Sequence, residues 1–154
     1  MNDEKFSDPT EARKKAMDYL ARREHGRAEL IGKLARFGFN ADVADDAVAQ
    51  LVDDNLQSDE RYVEAFVTSR INQGKGPVKI RAELRGRGIP DGIVEQGIED
   101  AGQDWYVSAC SVRAKKFGPD LPVDYSEKVR QMRFLQSRGF DTDQIQSAVS
   151  AQAE

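Results

Sequence analysis

The chain has 154 residues and a mass of 17.2 kDa, room for one domain or a few small ones and too little for a large multi-domain enzyme. Lys and Arg total 23 against 27 for Asp and Glu, and the formal charge of −4 taken alone argues against a nucleic-acid binder. With 39% hydrophobic and 32% charged residues and a mean hydropathy of −0.66, a thick single core is not expected, and no apolar run approaches the ~20 residues that cross a bilayer.

Residues 1–10 carry no periodic apolar pattern and read as a disordered tail. The opening Met1-Asn2-Asp3-Glu4-Lys5 lacks the basic region and apolar stretch of a signal peptide, so the chain reads as cytoplasmic. Helical spacing then predicts helices at about 12–23, 27–37 and 41–54; Val43, Ala44, Ala47, Val48 and Leu51, for example, share one helical face. A second set follows at about 59–73, 77–87 and 91–101, with Pro77 and Pro90 suited to first turns. A third set, at about 104–117, 125–138 and 142–152, differs by the loop Gly118-Pro119-Asp120-Leu121-Pro122 between its first two helices. Asn40 and Asp141 stand where N-caps belong.

Glycine punctuation ties the three sets together. Leu34-Ala35-Arg36-Phe37-Gly38-Phe39, Leu84-Arg85-Gly86-Arg87-Gly88-Ile89 and Leu135-Gln136-Ser137-Arg138-Gly139-Phe140 share Leu-x-x-x-Gly-apolar, with the last glycines 50 and 51 residues apart. Such a period is the mark of an array of supersecondary units. Each segment reads as a helix ending in a left-handed glycine, after which an apolar residue packs back on the last turn. The predicted fold is all-α: three tandem three-helix repeats, residues 11–56, 57–102 and 103–154, in an elongated, curved array.

Resolved along the chain, charge alternates with the repeat. Residues 11–37 carry eight bases and four acids, and 41–60 carry seven acids and no base. Residues 70–88 then hold six bases and one acid, and 89–104 hold five acids and no base. The cationic bands suit phosphates or an acidic protein surface; equally, neighbouring helices of opposite charge pair with one another. The densest stretch surrounds Gly74-Lys75-Gly76-Pro77, whose glycines permit close backbone approach and whose following helix N-terminus offers N–H groups to an anion. A plain connector explains it as well, and the spacing of a phosphate-binding P-loop is absent.

No catalytic constellation stands out. His25, the sole histidine, reads as a capping or surface residue at a helix corner, and Cys110, the sole cysteine, as a small buried side chain. Clusters such as Asp42, Asp45 and Asp46 lack the pattern of a calcium loop, so no metal and no cofactor is expected. Tyr19, Tyr62, Phe66, Trp105 and Tyr106 read as core aromatics.

One long motif adds a resemblance. Leu56-x-x-Asp59-x-Arg61-Tyr62-x-x-x-Phe66-Val67-x-x-Arg70-x-x-x-Gly74-x-Gly76-Pro77-x-x-Ile80-x-x-Glu83-Leu84-x-x-x-Gly88-Ile89 resembles the signature of the RecX family, bacterial modulators of the RecA recombinase. Ala16-x-x-Tyr19-Leu20-x-x-Arg23, Glu29-Leu30-x-x-Lys33-Leu34 and the stretch Lys128–Phe140 extend the likeness over about residues 12–150. It implies three tandem three-helix repeats and a non-enzymatic regulator that binds RecA and its filament on single-stranded DNA. Such a regulator inhibits ATP hydrolysis, strand exchange and co-protease activity and limits filament growth. Weak non-specific DNA binding, no membrane role and a monomeric state go with that picture. By the resemblance, Arg70, Lys75, Lys79, Arg81 and Arg85 are the main RecA or DNA contacts, with Arg27, Lys33 and Arg36 secondary. Gly38, Tyr62, Phe66, Gly76, Pro77, Leu84, Gly88 and Gly139 are structural. On the residues alone, a sequence-independent DNA-binding module and a helical interaction scaffold remain alternatives.

Overall fold

The three Leu-x-x-x-Gly segments close alike in the computed structural model, which describes residues 3–150. Gly38 takes a φ of 128°, and the N–H of Phe39 reaches back 3.0 Å to the Leu34 carbonyl. Gly88 (φ 78°) and Gly139 (φ 95°) repeat the arrangement, with Ile89 bonded to the Leu84 carbonyl and Phe140 to the Leu135 carbonyl, both at 3.2 Å. Glycine enters this left-handed region without steric cost, and the carbonyl stranded at the helix end is satisfied by the residue that follows. Phe39, Ile89 and Phe140 then turn inward and are buried, as are Leu34, Leu84 and Leu135.

Among the described residues there are nine α-helices and no strand. The first repeat holds α1 (Pro9–Arg22), α2 (Arg27–Phe37) and α3 (Ala41–Asp53); the second, α4 (Asp59–Asn72), α5 (Pro77–Gly86) and α6 (Asp91–Asp100); the third, α7 (Trp105–Phe117), α8 (Tyr125–Ser137) and α9 (Thr142–Val149). Asp141 caps α9 in a reciprocal capping box with Gln144, whereas Asn40 occupies the cap position of α3 without a side-chain hydrogen bond.

The predicted disordered tail is corrected. Asp3–Ser7 forms a 3-10 turn, and the Phe6 ring packs edge-on to Phe37 and Phe39 at 6.3 and 5.5 Å between centroids. The Phe6 carbonyl accepts from the Asn40 N–H at 3.0 Å. Asp8 caps α1 by accepting from the Thr10 N–H at 2.9 Å, with Pro9 in the first turn, so the helix starts earlier than its apolar spacing implied. One aromatic and one Asp-Pro start signal suffice to order this segment. Residues 1 and 2 of the predicted tail, and 151 and 152 of the predicted last helix, lie outside the described residues.

The chain divides into two compact units, Met1–Ala65 with Leu84–Val94 and Phe66–Glu83 with Glu95–Glu154. In the first, α3 packs chiefly on α1, and small residues set the contact: Ala12 and Ala16 on one side and Ala44 and Ala47 on the other share a core with Leu30, Leu34 and Leu51. Alanines in facing positions let two helix backbones approach closely. The second unit uses the same device, with Ala109 of α7 and Ala148 of α9 in one core with Leu135, Phe140 and Ile145.

The loop inserted in the third repeat is anchored from below. Arg113, only 3% exposed, donates from Nη1 to the Asp120 carbonyl (3.1 Å) and Gln131 Oε1 (3.2 Å), and from Nη2 to the carbonyls of Gly118 (3.2 Å) and Pro119 (3.3 Å). Two of the core expectations are corrected nearby. Cys110 is half-buried at the margin of the core, and Tyr106 is exposed, because the start of α7 carries more apolar side chains than its one buried face accommodates.

Candidate binding surface

Two junctions between consecutive repeats bring together most of the residues singled out in the sequence. The first lies in the first unit, where the start of α2 meets the end of α5. Gly26 and Gly88 permit the approach: a Cβ on Gly26 would stand 3.1 Å from Ile89 Cδ1, and one on Gly88 would stand 2.8 Å from Ala28 Cβ. Arg23 grips Glu29 in a two-point pair (3.1 and 2.8 Å), and Arg87 donates to the Tyr62 hydroxyl at 2.8 Å while its guanidinium lies 3.9 Å from Glu29. Burial raises the Glu29 carboxyl, but the Arg23 pair outweighs it and holds the group below the usual carboxylate value.

His25 sits at the centre of this junction and is buried, which corrects the capping or surface role expected of it. The Arg23 carbonyl, 3.0 Å from Nδ1, can only accept, so Nδ1 carries the proton and Nε2 accepts from the Lys33 ammonium at 2.9 Å. Gln57 donates to the His25 carbonyl at 3.1 Å and to Asp59 at 3.0 Å, and Asp59 also accepts from the Arg27 N–H at 2.7 Å. Burial, more than any neighbouring charge, pushes the His25 pKa down from its ordinary value. The folded chain thus refuses a proton that the unfolded chain accepts. Stability is complete above the unfolded value of about 6.5 and falls as pH drops through it toward the folded value. A thermal midpoint that declines between about pH 7 and about pH 5 in the parent chain is expected to be flatter in His25→Gln; parallel declines would count against this role.

The second junction lies in the second unit, where the start of α5 meets the end of α8. Here backbone touches backbone: a Cβ on Gly76 would stand 2.4 Å from the Gly139 carbonyl oxygen. The Gly76 N–H donates to the Arg138 carbonyl at 2.7 Å and the Val78 N–H to the Gly139 carbonyl at 2.9 Å. This corrects one expectation in part: the Gly76 and Val78 N–H groups at the start of α5 are already used by the third repeat and are not offered to an anion. Lys79 donates from Nζ to the Ser137 carbonyl at 3.4 Å. Partial desolvation, then the charges of Lys79 and Arg138, hold the Lys75 ammonium below the ordinary lysine value.

The basic residues proposed as contacts separate into two groups. Arg70 pairs with Glu83 at 3.0 Å and stacks on Phe66 at 4.1 Å; Arg81 pairs with Glu95 at 2.8 Å and Arg85 with Asp91 at 2.9 Å. For these arginines the alternating bands are realised as ion pairs between neighbouring helices. Lys33 is engaged with His25, and Arg27 and Arg36 are exposed on α2. Lys75 and Lys79 are brought together, and with them comes Arg138, which the sequence reading passed over. Its signal was the repeat itself, since the 51-residue step from Gly88 to Gly139 also carries Arg87 to Arg138. Among the described residues no group of three or more His, Cys, Asp or Glu side chains is arranged to hold a metal ion, and no helix is long and apolar enough to cross a membrane.

Family models describing the first, second and third three-helix domains of RecX match residues 12–51, 58–98 and 103–149. The chain belongs to the RecX family. The Regulatory protein RecX of Halorhodospira halophila is 44% identical over 139 residues, covering 90% of this chain and 86% of the relative. That of Pseudomonas savastanoi pv. phaseolicola is 44% identical over 137 residues, covering 89% and 88%. A crystal structure of RecX from Lactobacillus salivarius superposes with a TM-score of 0.76 at 23% identity over 92% of this chain and 94% of that one, a likeness of fold. In RecX terms the first junction joins the first and second three-helix domains, and the second junction joins the second and third.

Proposed function

We propose that this RecX-family chain is a non-enzymatic regulator of RecA that acts in the cytoplasm as a monomer. It binds RecA and the RecA filament on single-stranded DNA, lowers ATP hydrolysis and strand exchange, and limits filament growth. The observation that carries this reading is the match to RecX across all three repeats, supported by relatives that bear the name Regulatory protein RecX. Tandem repeats suit such work, because several modest contacts on one chain raise apparent affinity without any single strong site.

The residues divide the labour in this reading. Lys75 and Lys79, with no carboxylate partner among the described residues, face the filament or its DNA; Arg70, Arg81 and Arg85 hold their own helices together while presenting part of their charge. The chain is expected to lower the steady-state ATPase rate of RecA on single-stranded DNA at substoichiometric amounts. An unchanged rate at equimolar protein would overturn the reading. A sequence-independent DNA-binding module is the second reading, favoured by the cations of the second junction; binding to DNA with no effect on RecA would select it.

A further inference from the structure

Each glycine that ends the second helix of a repeat is covered at close range by another part of the chain. A Cβ on Gly88 would stand 2.8 Å from Ala28 Cβ at the start of α2, and one on Gly139 would meet Lys79 near the start of α5. Gly38 has no earlier repeat to supply such a helix start. Its cover is Phe6, whose Cε1 would stand 2.8 Å from a Cβ on Gly38. The likeness extends to the main chain, with donor and acceptor exchanged. At the second junction the start of α5 donates from Gly76 and Val78 to the carbonyls of Arg138 and Gly139, whereas the Phe6 carbonyl accepts from the Asn40 N–H at 3.0 Å, just past Gly38.

The last repeat is finished differently. Gly26 and Gly76 stand 12 residues ahead of Gly38 and Gly88 and open the helices that cover the next glycine, but the residue 12 ahead of Gly139 is Glu127. Its side chain pairs with Arg130 at 3.0 Å, and α8 holds no glycine at which a further repeat could close in.

What Phe6 covers is apolar. Phe37 and Phe39 are stacked with 5.9 Å between centroids and 21° between planes, and Phe6 lies edge-on to both. Even so, Phe37 is 41% exposed, with Lys5 and Lys15 over its ring at 5.3 and 4.4 Å. The first unit of a repeat array carries a surface built for a neighbour it does not have, and bare apolar edges of this kind associate unless they are blunted. We propose that Asp3–Ser7 is the terminal cap of this array: Phe6 takes the place of a preceding repeat's helix start and keeps two copies of the chain from pairing through their Phe37-Gly38-Phe39 edges. The excluded partner is a second copy, meeting like edge with like edge. The starts of α2 and α5 are spent within the chain, and that of α8 lacks the glycine the joint needs. The inference does not rest on the RecA reading, and its test contains no RecA, so either can fail alone.

The experiment is sedimentation velocity of the full chain over a concentration series, with far-ultraviolet circular dichroism on the same samples. Four chains are compared: the parent, Phe6→Ser, Phe6→Leu, and Phe6→Ser combined with Phe37→Asp. The parent is expected to sediment as a monomer of 17.2 kDa. Phe6→Ser, as helical as the parent, is expected to reach a weight-average mass about 1.5-fold higher or more at the top of the series, the mark of a reversible dimer. Phe6→Leu keeps an apolar plug over Gly38 and is expected to stay monomeric. Phe37→Asp places a charge on the bared edge and is expected to return the double variant to monomer. A Phe6→Ser chain that stays monomeric throughout the series would overturn the proposal and reduce Phe6 to local packing. So would a dimer that survives Phe37→Asp, a dimer as strong in the parent or in Phe6→Leu, or a mass increase that comes with loss of the helical signal.

Discussion

Gly139→Ala is expected to lower the thermal midpoint by roughly 6–12 °C, the counterpart of a cost of about 3 kcal/mol in a chain of this size. Two effects add. The residue has a φ of 95°, where a side chain is strained by about 1–2 kcal/mol, and the added Cβ would stand 2.2 Å from Lys79 Cβ and 2.7 Å from the Lys79 nitrogen. Neither obstacle is the far end of a flexible side chain, so relief demands that α5 and α8 part, with loss of the 2.7 Å and 2.9 Å bonds that join them. Gly76→Ala sets a Cβ against the Gly139 carbonyl and the Phe140 nitrogen of the same joint, and is expected to lower the midpoint by the clash alone, without the strain of a positive φ. Gly92→Ala is the control: the site lies within α6, nothing surrounds it within 4 Å, and a gain of about 0.5–1 kcal/mol is expected. Differential scanning calorimetry of the three variants decides, and a parent-like midpoint for Gly139→Ala would remove the junction from the account.

Arg113→Met is expected to cost about 2–4 kcal/mol and to open the loop after α7 to proteolysis near Gly118–Val123. The parent guanidinium satisfies three loop carbonyls and the buried Gln131 side chain, with no ion pair to a carboxylate among the described residues. Methionine fills the space and removes every donor. The carbonyls can recover water only if the loop lifts away, whereas Gln131, 3% exposed, keeps only its bond to Glu127 at 3.2 Å. Arg113→Lys keeps the charge but not the planar fork, and is expected to fall between the two. Limited proteolysis with mapping of the cut is the measurement; a digestion pattern and midpoint matching the parent would show that the loop holds itself.

The helices and their repetition were legible because the signals are local. Gly38, Gly88 and Gly139 end helices by their own backbone freedom, and Asp141 starts one with its own side chain. What was not legible depends on partners distant in sequence. Phe6 orders its turn because Phe37 and Phe39 stand ready, and His25, beside Tyr19 and Lys33 of its own repeat, has its carbonyl bonded by Gln57 from the next. The same distance decides the candidate surface. Arg81 and Lys79 are two residues apart and equally basic on paper, yet one meets Glu95 and the other meets a carbonyl. Only the fold says which charge is spent within the chain and which is left over.

The meeting of Gly76 with Gly139 is made of main-chain atoms, which every residue type shares. Where two repeats are held by such atoms, the side chains around the contact are relieved of holding it, and a carboxylate can be exchanged for an ammonium there without redrawing the joint. Duplicated modules joined in this way can diverge in what they attract while staying interchangeable in how they connect.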